Sequence, residues 1–270
     1  MAARERAATM KLSNLVTSLF LALGLAVTAQ AQWIKLPLPG TPRTKDGKPN
    51  LSAPAPRASD GHPDLSGVWL SSRQYTNPKG RGLERFMPAG SKVPMLPAAE
   101  KFYAEITGNG RYDAADPSER CLPDGIPNHM LPIPIKIVQT PGLIVTLFEE
   151  FFVFRQMFTD GRKLPVDPQP SWFGYSVAHW ETNTLVVESS GFNNQTYLDG
   201  EGLPHSEDLR ITERYRRPDF GHLVIEFTFT DPKYYERPWT ATIPFDLMPD
   251  TELIEHFCEN EKDLGQMYRK

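Results

Sequence analysis

The chain has 270 residues, of which 40% are hydrophobic and 23% are charged, and this balance is that of an ordinary soluble globular protein. Its 29 basic and 33 acidic residues give a formal net charge of −4, which argues against nucleic acid as a partner because nucleic-acid-binding surfaces are basic. Proline, with 26 residues, is roughly twice as frequent as usual. This frequency favours short elements and long connections over a helical bundle.

Residues 1–31 have the pattern of a secretory signal peptide. Basic residues precede an apolar run over 15–29, and the run ends in the tripeptide Ala29-Gln30-Ala31, which matches the small-residue cleavage site of such peptides. The run has about 15 residues, fewer than a transmembrane helix needs, although a membrane anchor is the alternative. We expect cleavage before Gln32 and an exported protein, periplasmic or secreted, whose mature chain has no membrane span.

The chain has 2 cysteines, Cys121 and Cys258. In an oxidising compartment such a pair is typical of a disulfide bond, with two buried thiols as the alternative. Because the sequence has no Cys-x-x-Cys spacing, it predicts no zinc site built from cysteines.

The segment that follows the signal peptide, residues 32–64, is rich in proline, glycine and aspartate. It contains an imperfect repeat, in which the pattern of residues 42–52 returns in residues 56–66. Two copies are too few for a solenoid. We therefore predict an extended, polyproline-like arm in front of a single domain over 65–270.

From residue 135 onward the sequence predicts β-structure, because short segments of alternating hydrophobicity are separated by turn signals such as Pro141-Gly142. The candidate strands cover 67–70, 135–140, 143–149, 152–158, 172–180, 184–189, 209–217, 222–230, 238–246 and 252–258. Short loops between neighbours favour antiparallel pairing. The predicted fold is a mainly β, antiparallel up-and-down barrel with one or two short helices, one of them near 97–106.

Period-two alternation assigns the side chains of each strand to its two faces. In the candidate strand 209–217, Glu213 lies on an otherwise apolar face. A carboxylate in that position needs a partner, or its pKa rises, so Glu213 is either a candidate acid or base or half of a structural ion pair. Arg155 alternates with Val153 and Met157 and would hold the carboxylate of Glu213 or of a ligand.

Aromatic residues crowd the candidate strand 172–180, and Trp172 and Tyr175 are among them. They form either core packing or a stacking wall for a sugar ring or a flat hydrophobic ligand. Together with Arg155 and Tyr197 they are the candidate substrate-binding residues. Glu149 and Glu150 fall at a predicted hairpin tip, where we expect solvated carboxylates.

The longest gap between the later strands, residues 191–208, contains His205, Ser206 and Glu207, with Asp199 upstream. Long loops at the mouth of a barrel often carry function, and histidine shuttles protons near neutral pH. Asp199 or Glu207 would orient the imidazole, and Ser206 would act as nucleophile or hydrogen-bond donor, although no Gly-x-Ser-x-Gly motif surrounds it. A solvated loop is the alternative, as is a metal site of His205, Glu207 and Asp199, although the sequence does not favour a bound metal.

Several motifs occur together along the chain. They are Asp60-Gly61-His62-Pro63-Asp64-Leu65-Ser66-Gly67-Val68-Trp69, Cys121-Leu122-Pro123, Ile137-Val138-Gln139-Thr140-Pro141-Gly142, Trp172-Phe173-Gly174-Tyr175-Ser176 and Pro204-His205-Ser206-Glu207. In this combination the chain resembles, from about residue 40 to its end, a large family of exported, mostly uncharacterised bacterial proteins of acidobacteria and proteobacteria. It departs from the family at Glu181-Thr182-Asn183, where Glu-Gly-Asp is expected. The entry at Asp64–Trp69 into a strand meander is also similar to lipocalin-like (calycin) barrels.

The sequence therefore predicts an exported enzyme that works without a cofactor, since no nucleotide or flavin motif is present. We expect proton-transfer chemistry of a lyase, isomerase or hydrolase on a small, partly hydrophobic or aromatic molecule. The candidate catalytic residues are His205, Asp199, Glu207, Glu213 and Ser206. A periplasmic, lipocalin-like binding protein for a small hydrophobic ligand is the alternative, and a module that docks through its arm is a third.

Overall fold

The protein is represented by a computed structural model, which describes residues 36–72, 82–108, 116–131, 133–254 and 256. Within these ranges nine strands form a closed barrel in chain order. They are β1 (Gly67–Ser71), β2 (Ile135–Thr140), β3 (Leu143–Phe148), β4 (Phe154–Phe158), β5 (Tyr175–Glu181), β6 (Thr184–Ser190), β7 (Arg210–Arg216), β8 (His222–Thr230) and β9 (Trp239–Leu247). The predicted mainly β barrel is confirmed. The predicted signal peptide lies outside the described residues.

Helices are few and short in the described part of the chain. The helix α1 (Pro97–Thr107) confirms the prediction near 97–106, and 3-10 helices cover Leu83–Phe86, Pro117–Arg120 and Asn128–Met130. None of the described helices combines the length and the apolar character that a membrane crossing requires.

All neighbouring strands pair antiparallel except β4 and β5, which are parallel. The mostly antiparallel pairing that the short loops favoured is found, and the one exception follows the long connection over 159–174, which returns the chain to the other end of β4. The exception determines how the barrel closes. Nine strictly alternating strands would leave β1 and β9 pointing the same way, and one parallel step makes their pairing antiparallel, as observed.

The inward face of the barrel is the main core of the protein. Large side chains on alternating positions of the strands are fully buried: Trp69, Tyr215, Phe227, Phe229 and Phe245 are each 0% exposed. Burying a side chain of this kind stabilises the fold by about 1.5–3 kcal/mol. The predicted alternation in β7, β8 and β9 is therefore confirmed.

The predicted strand over 252–258 does not form in its described part. Residues 251–254 belong to no strand, and His256 makes only an isolated bridge with Glu150. The reason is that β9 already pairs with both β8 and β1, so the closed barrel leaves no free edge for another strand. Cys258 lies outside the described residues, and its predicted disulfide bond with Cys121 stays a prediction.

The arm forms two similar loops instead of one polyproline-like segment. An isolated bridge closes each loop, and Arg43 and Arg57 donate to the carbonyl oxygens of Gly47 and Gly61, each four residues later. The two glycines have φ angles of 82° and 85°, which glycine adopts readily because it has no Cβ. The repeat in the sequence is thus a repeat in the structure.

Each loop of the arm contacts a different turn of the barrel. Arg43 forms a salt bridge of 2.6 Å with Asp250, in the turn after β9. Arg57 donates to the side-chain oxygen of Asn183, in the β5–β6 turn, at 3.0 Å. The preceding residue of that turn, Thr182, has a φ of 56°, a left-handed conformation that glycine adopts more readily than threonine.

Arg217 fastens the end of the arm to the barrel. Its Nη1 donates to the carbonyl oxygens of Asp64, at 2.5 Å, and Ser66, at 3.1 Å. Its guanidinium group lies over the ring of Trp69, 4.8 Å from the centroid. Burial lowers the pKa of Arg217 to about 10, so its charge persists at neutral pH.

We expect Gly221→Ala to loosen the arm, because the Gly221 N–H donates to the Leu51 carbonyl oxygen at 2.7 Å and an added Cβ would lie 2.4 Å from the Leu51 Cβ. The variant should lose about 1–3 kcal/mol of unfolding free energy and be cleaved faster by trypsin within the arm. Gly108→Ala is the control, since an added Cβ there meets no atom within 4 Å. Equal urea midpoints and equal cleavage rates in the two variants would contradict the docking of the arm.

Candidate functional site

The loop over 191–208 is folded against the barrel, and His205 is 5% exposed. Its Nδ1 lies 3.0 Å from the carbonyl oxygen of Ser206, and its Nε2 lies 2.7 Å from the hydroxyl of Thr196. A carbonyl oxygen only accepts, so Nδ1 carries the proton and Nε2 accepts from the threonine. Burial lowers the pKa of His205, and the ring is neutral.

The side chains of Ser206 and of Glu207, a predicted orienting partner of His205, lie in other hydrogen-bond networks. The hydroxyl of Ser206 donates to Asp231 at 2.8 Å. Glu207 is exposed and forms a salt bridge of 2.7 Å with Lys233. Neither contact is with the imidazole. Both contacts instead hold the loop against neighbouring residues.

Asp199 is buried in the same loop and binds backbone groups. Its carboxylate accepts hydrogen bonds from the N–H groups of Leu83, Glu201 and Leu203. Burial raises the pKa of Asp199 to about 6, although these backbone hydrogen bonds lower it. Asp199 thereby joins the loop to the 3-10 helix Leu83–Phe86, and the catalytic role of His205 and its neighbours stays a prediction.

Arg155 and Glu213 meet inside the barrel, on the faces that the alternation predicts. Nη1 of Arg155 donates to Oε2 of Glu213 at 2.9 Å, and Nη2 donates to Oε1. The hydroxyl of Tyr215 donates to the same carboxylate at 2.8 Å. Burial by itself lowers the pKa of Arg155, but the charge of Glu213 more than offsets this and raises it. The geometry is that of a structural ion pair.

An aromatic groove of about 420 Å³ lies outside the barrel wall, at the seam between β4 and β5. Its aromatic lining consists of Phe152, Phe154, Phe158, Trp172, Phe173 and Tyr175. The two strands share only two register pairs, so they diverge and leave an opening. Phe152 and Phe154 are 45% and 57% exposed at the groove, although burial would stabilise such rings.

The groove brings together three of the four predicted substrate-binding residues. Arg155, Trp172 and Tyr175 all line it. The fourth, Tyr197, is half-buried in the loop over 191–208, where it bridges Pro204. A role of these four residues in binding stays a prediction.

A buried cluster of two carboxylates and one imidazole lies next to Phe173, one of the residues that line this groove. Asp124, His129 and Glu150 each place one polar atom within 4.8 Å of the other two, and they are 5%, 1% and 9% exposed. The ring of His129 lies 5.5 Å from that of Phe173, and Phe173 and Phe152 both line the groove. Groove and cluster therefore adjoin.

The turn between β3 and β4 directs its carboxylates into the protein. Phe151 and Phe152 have φ angles of 59° and 53°, a region that bulky side chains rarely adopt and that concentrates at functional sites. Glu149 accepts a hydrogen bond from the Ile254 N–H at 3.1 Å, and Glu150 joins the cluster. The prediction that both carboxylates are solvated is wrong, because this backbone conformation turns the hairpin tip inward.

The hydrogen bonds of His129 identify its tautomer. Nε2 lies 3.4 Å from the carbonyl oxygen of Glu150, which only accepts, and Nδ1 accepts from the N–H of Asp124 at 3.3 Å. The proton is therefore on Nε2. The lone pair of Nδ1 faces the cluster, 3.8 Å from Oδ2 of Asp124 and 3.6 Å from Oε2 of Glu150.

The carboxylates of the cluster are poorly compensated. Oδ1 of Asp124 and Oε2 of Glu150 are buried and have no hydrogen-bond partner in the described part of the chain. Burial raises the pKa of Asp124, and it raises the pKa of Glu150 to about 7. Both shifts reflect the cost of holding negative charge away from water.

Sequence reasoning missed this cluster because no spacing pattern connects its members. Asp124 and His129 come from the irregular segment before β2, and Glu150 comes from a turn 21 residues after His129. The paired glutamates between two phenylalanine-rich segments were the signal that was available. Comparisons of the chain with family models, with curated proteins and with solved structures found no match. Functional assignment therefore depends on the geometry of the site.

We expect Glu213→Gln to cost about 3–5 kcal/mol of unfolding free energy, because it leaves the Arg155 guanidinium buried without a counterion. The double variant Arg155→Met/Glu213→Leu removes both charges and should recover most of that loss. Urea denaturation measures both. Asp160→Asn, which breaks an exposed ion pair with Arg162, is the control and should cost less than about 1 kcal/mol. A double variant as unstable as Glu213→Gln would contradict this interpretation.

We expect His205 to make the protein less stable in mild acid. The unfolded chain protonates this imidazole below about pH 6.5, whereas the native ring stays neutral, so stability is lost as the pH falls through that value. His205→Gln should therefore lose less unfolding free energy than the wild type between about pH 7.5 and pH 5. His222→Gln, at an exposed histidine, is the control. Identical pH dependence in wild type and His205→Gln would refute the assignment.

Proposed function

We propose that this protein is an exported enzyme that carries out proton-transfer chemistry on a small, flat, partly hydrophobic molecule bound in the aromatic groove. The observation that carries the proposal is that the groove and the Asp124–His129–Glu150 cluster adjoin through Phe173. A lyase, isomerase or hydrolase would need both features, one to hold the substrate and one to act on it. The predicted signal peptide supports export.

The groove has the chemistry of a site for an aromatic ligand. Its volume of about 420 Å³ is at the lower end of the range for small-molecule pockets, which suits a ligand of one or two rings. Aromatic side chains stack on flat ligands through offset or edge contacts. Phe154, which is 57% exposed, would lose most contact with water when the groove is filled.

The chemical step is assigned to the cluster because its buried carboxylates and imidazole lie next to Phe173, which lines the groove. Side chains of these types move protons in enzymes. Exclusion of water strengthens every electrostatic interaction between such groups and a bound substrate. The His205 loop, in contrast, is held by Thr196 and by backbone groups.

The second candidate function is a periplasmic binding protein for a small hydrophobic ligand. The exposed rings of Phe152 and Phe154 at the groove favour it, because capture of an apolar ligand requires only that these surfaces be covered. In this case the ligand would bind and leave unchanged.

Proton exchange in D2O distinguishes the two candidates. The purified protein is incubated with phenylpyruvate, aryl ketones and aryl acetate esters, and ¹H NMR follows both loss of C–H signal and hydrolysis. We expect turnover of at least one of these classes. Glu150→Gln and His129→Gln should each lower kcat at least ~100-fold, and Trp172→Ala should act mainly on KM.

Glu188→Gln, at an exposed position of β6, is the matched control and should keep full activity. Saturable quenching of tryptophan fluorescence by these compounds without exchange or hydrolysis would overturn the proposal of an enzyme and support that of a binding protein. Loss of activity in His205→Gln but not in Glu150→Gln would move the chemical step to the His205 loop. Export is checked by the mass of periplasmic protein, which should begin at Gln32.

A further inference from the structure

The cluster places three hydrogen-bond acceptors against one another. The Nδ1 lone pair of His129 faces Oδ2 of Asp124 and Oε2 of Glu150 at 3.8 and 3.6 Å. The N–H of Asp124 donates to Nδ1 at 3.3 Å, a long hydrogen bond that a cation bound to Nδ1 would replace. Acceptors that face each other away from water repel, so the arrangement favours a cation between them, either a proton or a metal ion.

The distances distinguish a proton from a metal ion. A proton shared between a carboxyl oxygen and Nδ1 would draw the two atoms to about 2.7–2.9 Å. Two ligand atoms at about 2.0–2.2 Å from a tetrahedral ion are instead about 3.3–3.6 Å apart. The observed separations of 3.6 and 3.8 Å are close to the second range and far from the first.

The buried oxygen atoms without a hydrogen-bond partner also favour a metal ion. Oδ1 of Asp124 and Oε2 of Glu150 are buried and lack a hydrogen-bond partner among the described residues, and the two side chains belong to residues that are 5% and 9% exposed. As metal ligands the two carboxylates are ionised and the imidazole is neutral, so together they carry a charge of about −2. A divalent cation would balance that charge without further groups.

The ligand types indicate which cation. Imidazole together with carboxylates suits zinc and its neighbours in the first transition row, whereas calcium and magnesium prefer sites made of oxygen alone. The Nε2–H of His129 directed at the carbonyl oxygen of Glu150 is the outer-shell contact that usually orients a metal-binding histidine. Three protein ligands leave one position of a tetrahedral ion for water, as in catalytic zinc sites.

We infer that Asp124, His129 and Glu150 bind one zinc ion or a similar divalent transition metal. This inference deepens the proposed function and rests on it only for its chemical role, because metal-bound water ionises near neutral pH and can serve as base or nucleophile. It departs from the expectation, drawn from the sequence, of an enzyme without metal. The alternative metal site predicted at His205, Glu207 and Asp199 is not favoured, since Glu207 is paired with Lys233 at the surface.

The test is metal binding without substrate. The full mature protein is treated with EDTA, then titrated with Zn²⁺ by calorimetry and with Co²⁺ by visible absorption. We expect one equivalent of either ion, the intense visible absorption of four-coordinate Co²⁺, and a higher Tm with Zn²⁺, since a ligand that binds only the native state stabilises it. Asp124→Asn, His129→Gln and Glu150→Gln should each weaken metal binding at least tenfold. Loss of an outer-shell contact alone has an effect of about that size, and loss of a ligand should have a larger one.

His222→Gln is the matched control, because it removes an imidazole outside the cluster, and it should bind as the wild type does. Absence of a stoichiometric ion in the wild type, or wild-type affinity in Glu150→Gln, would overturn the inference. Should the variants fail to fold, X-ray absorption at the zinc edge of the wild type decides the matter. Nitrogen and oxygen ligands with a single imidazole are expected, and sulfur or a second imidazole would overturn the assignment.

The outcome for the metal and the outcome for the proposed function are separable. Stoichiometric Zn²⁺ binding with no turnover of the tested compounds would support the metal site and overturn the proposed enzymatic function. Turnover that persists unchanged after EDTA treatment, in protein that binds no Zn²⁺, would leave the enzyme standing and overturn the metal site.

Discussion

The parallel pairing of β4 with β5 is the constraint on which the rest of the structure depends. It allows a barrel with an odd number of strands to close with an antiparallel pair, yet it provides only two register pairs of its own. The buried side chain of Arg155 reinforces this weak seam from inside. It donates from β4 to Ser176 on β5, to Ser189 on β6 and to Glu213 on β7, so one guanidinium group ties four consecutive strands together.

The same seam creates the candidate site. Strands that diverge after two register pairs leave an opening in the wall, and the long connection needed for a parallel step brings Trp172 and Phe173 to its edge. The inward turn before β4 then places Glu150 beside His129. The groove therefore arises from the parallel step, the inward turn places the cluster beside it, and the Arg155–Glu213 ion pair lies on the inner side of the same wall.

Alternating hydrophobicity predicted most of the barrel, because burial on one face of a strand is a local property of the sequence. The same reasoning placed Arg155 and Glu213 on the inner face, where they pair. The reasoning from alternation failed where the structure depends on long connections or on unusual backbone conformations. The parallel step depends on how a long connection returns, and the inward tip depends on the left-handed conformation of Phe151 and Phe152, which their side chains disfavour. The cluster combines residues from separate segments of the chain, so no periodic pattern in the sequence reveals it.

The duplicated loops of the arm make its attachment bivalent. Because Arg43 and Arg57 contact separate turns, release of one loop leaves the other bound. The detached loop then stays at a high effective concentration near its own turn and rebinds before the arm can leave. Two weak, exposed contacts thereby hold the arm more firmly than either would alone.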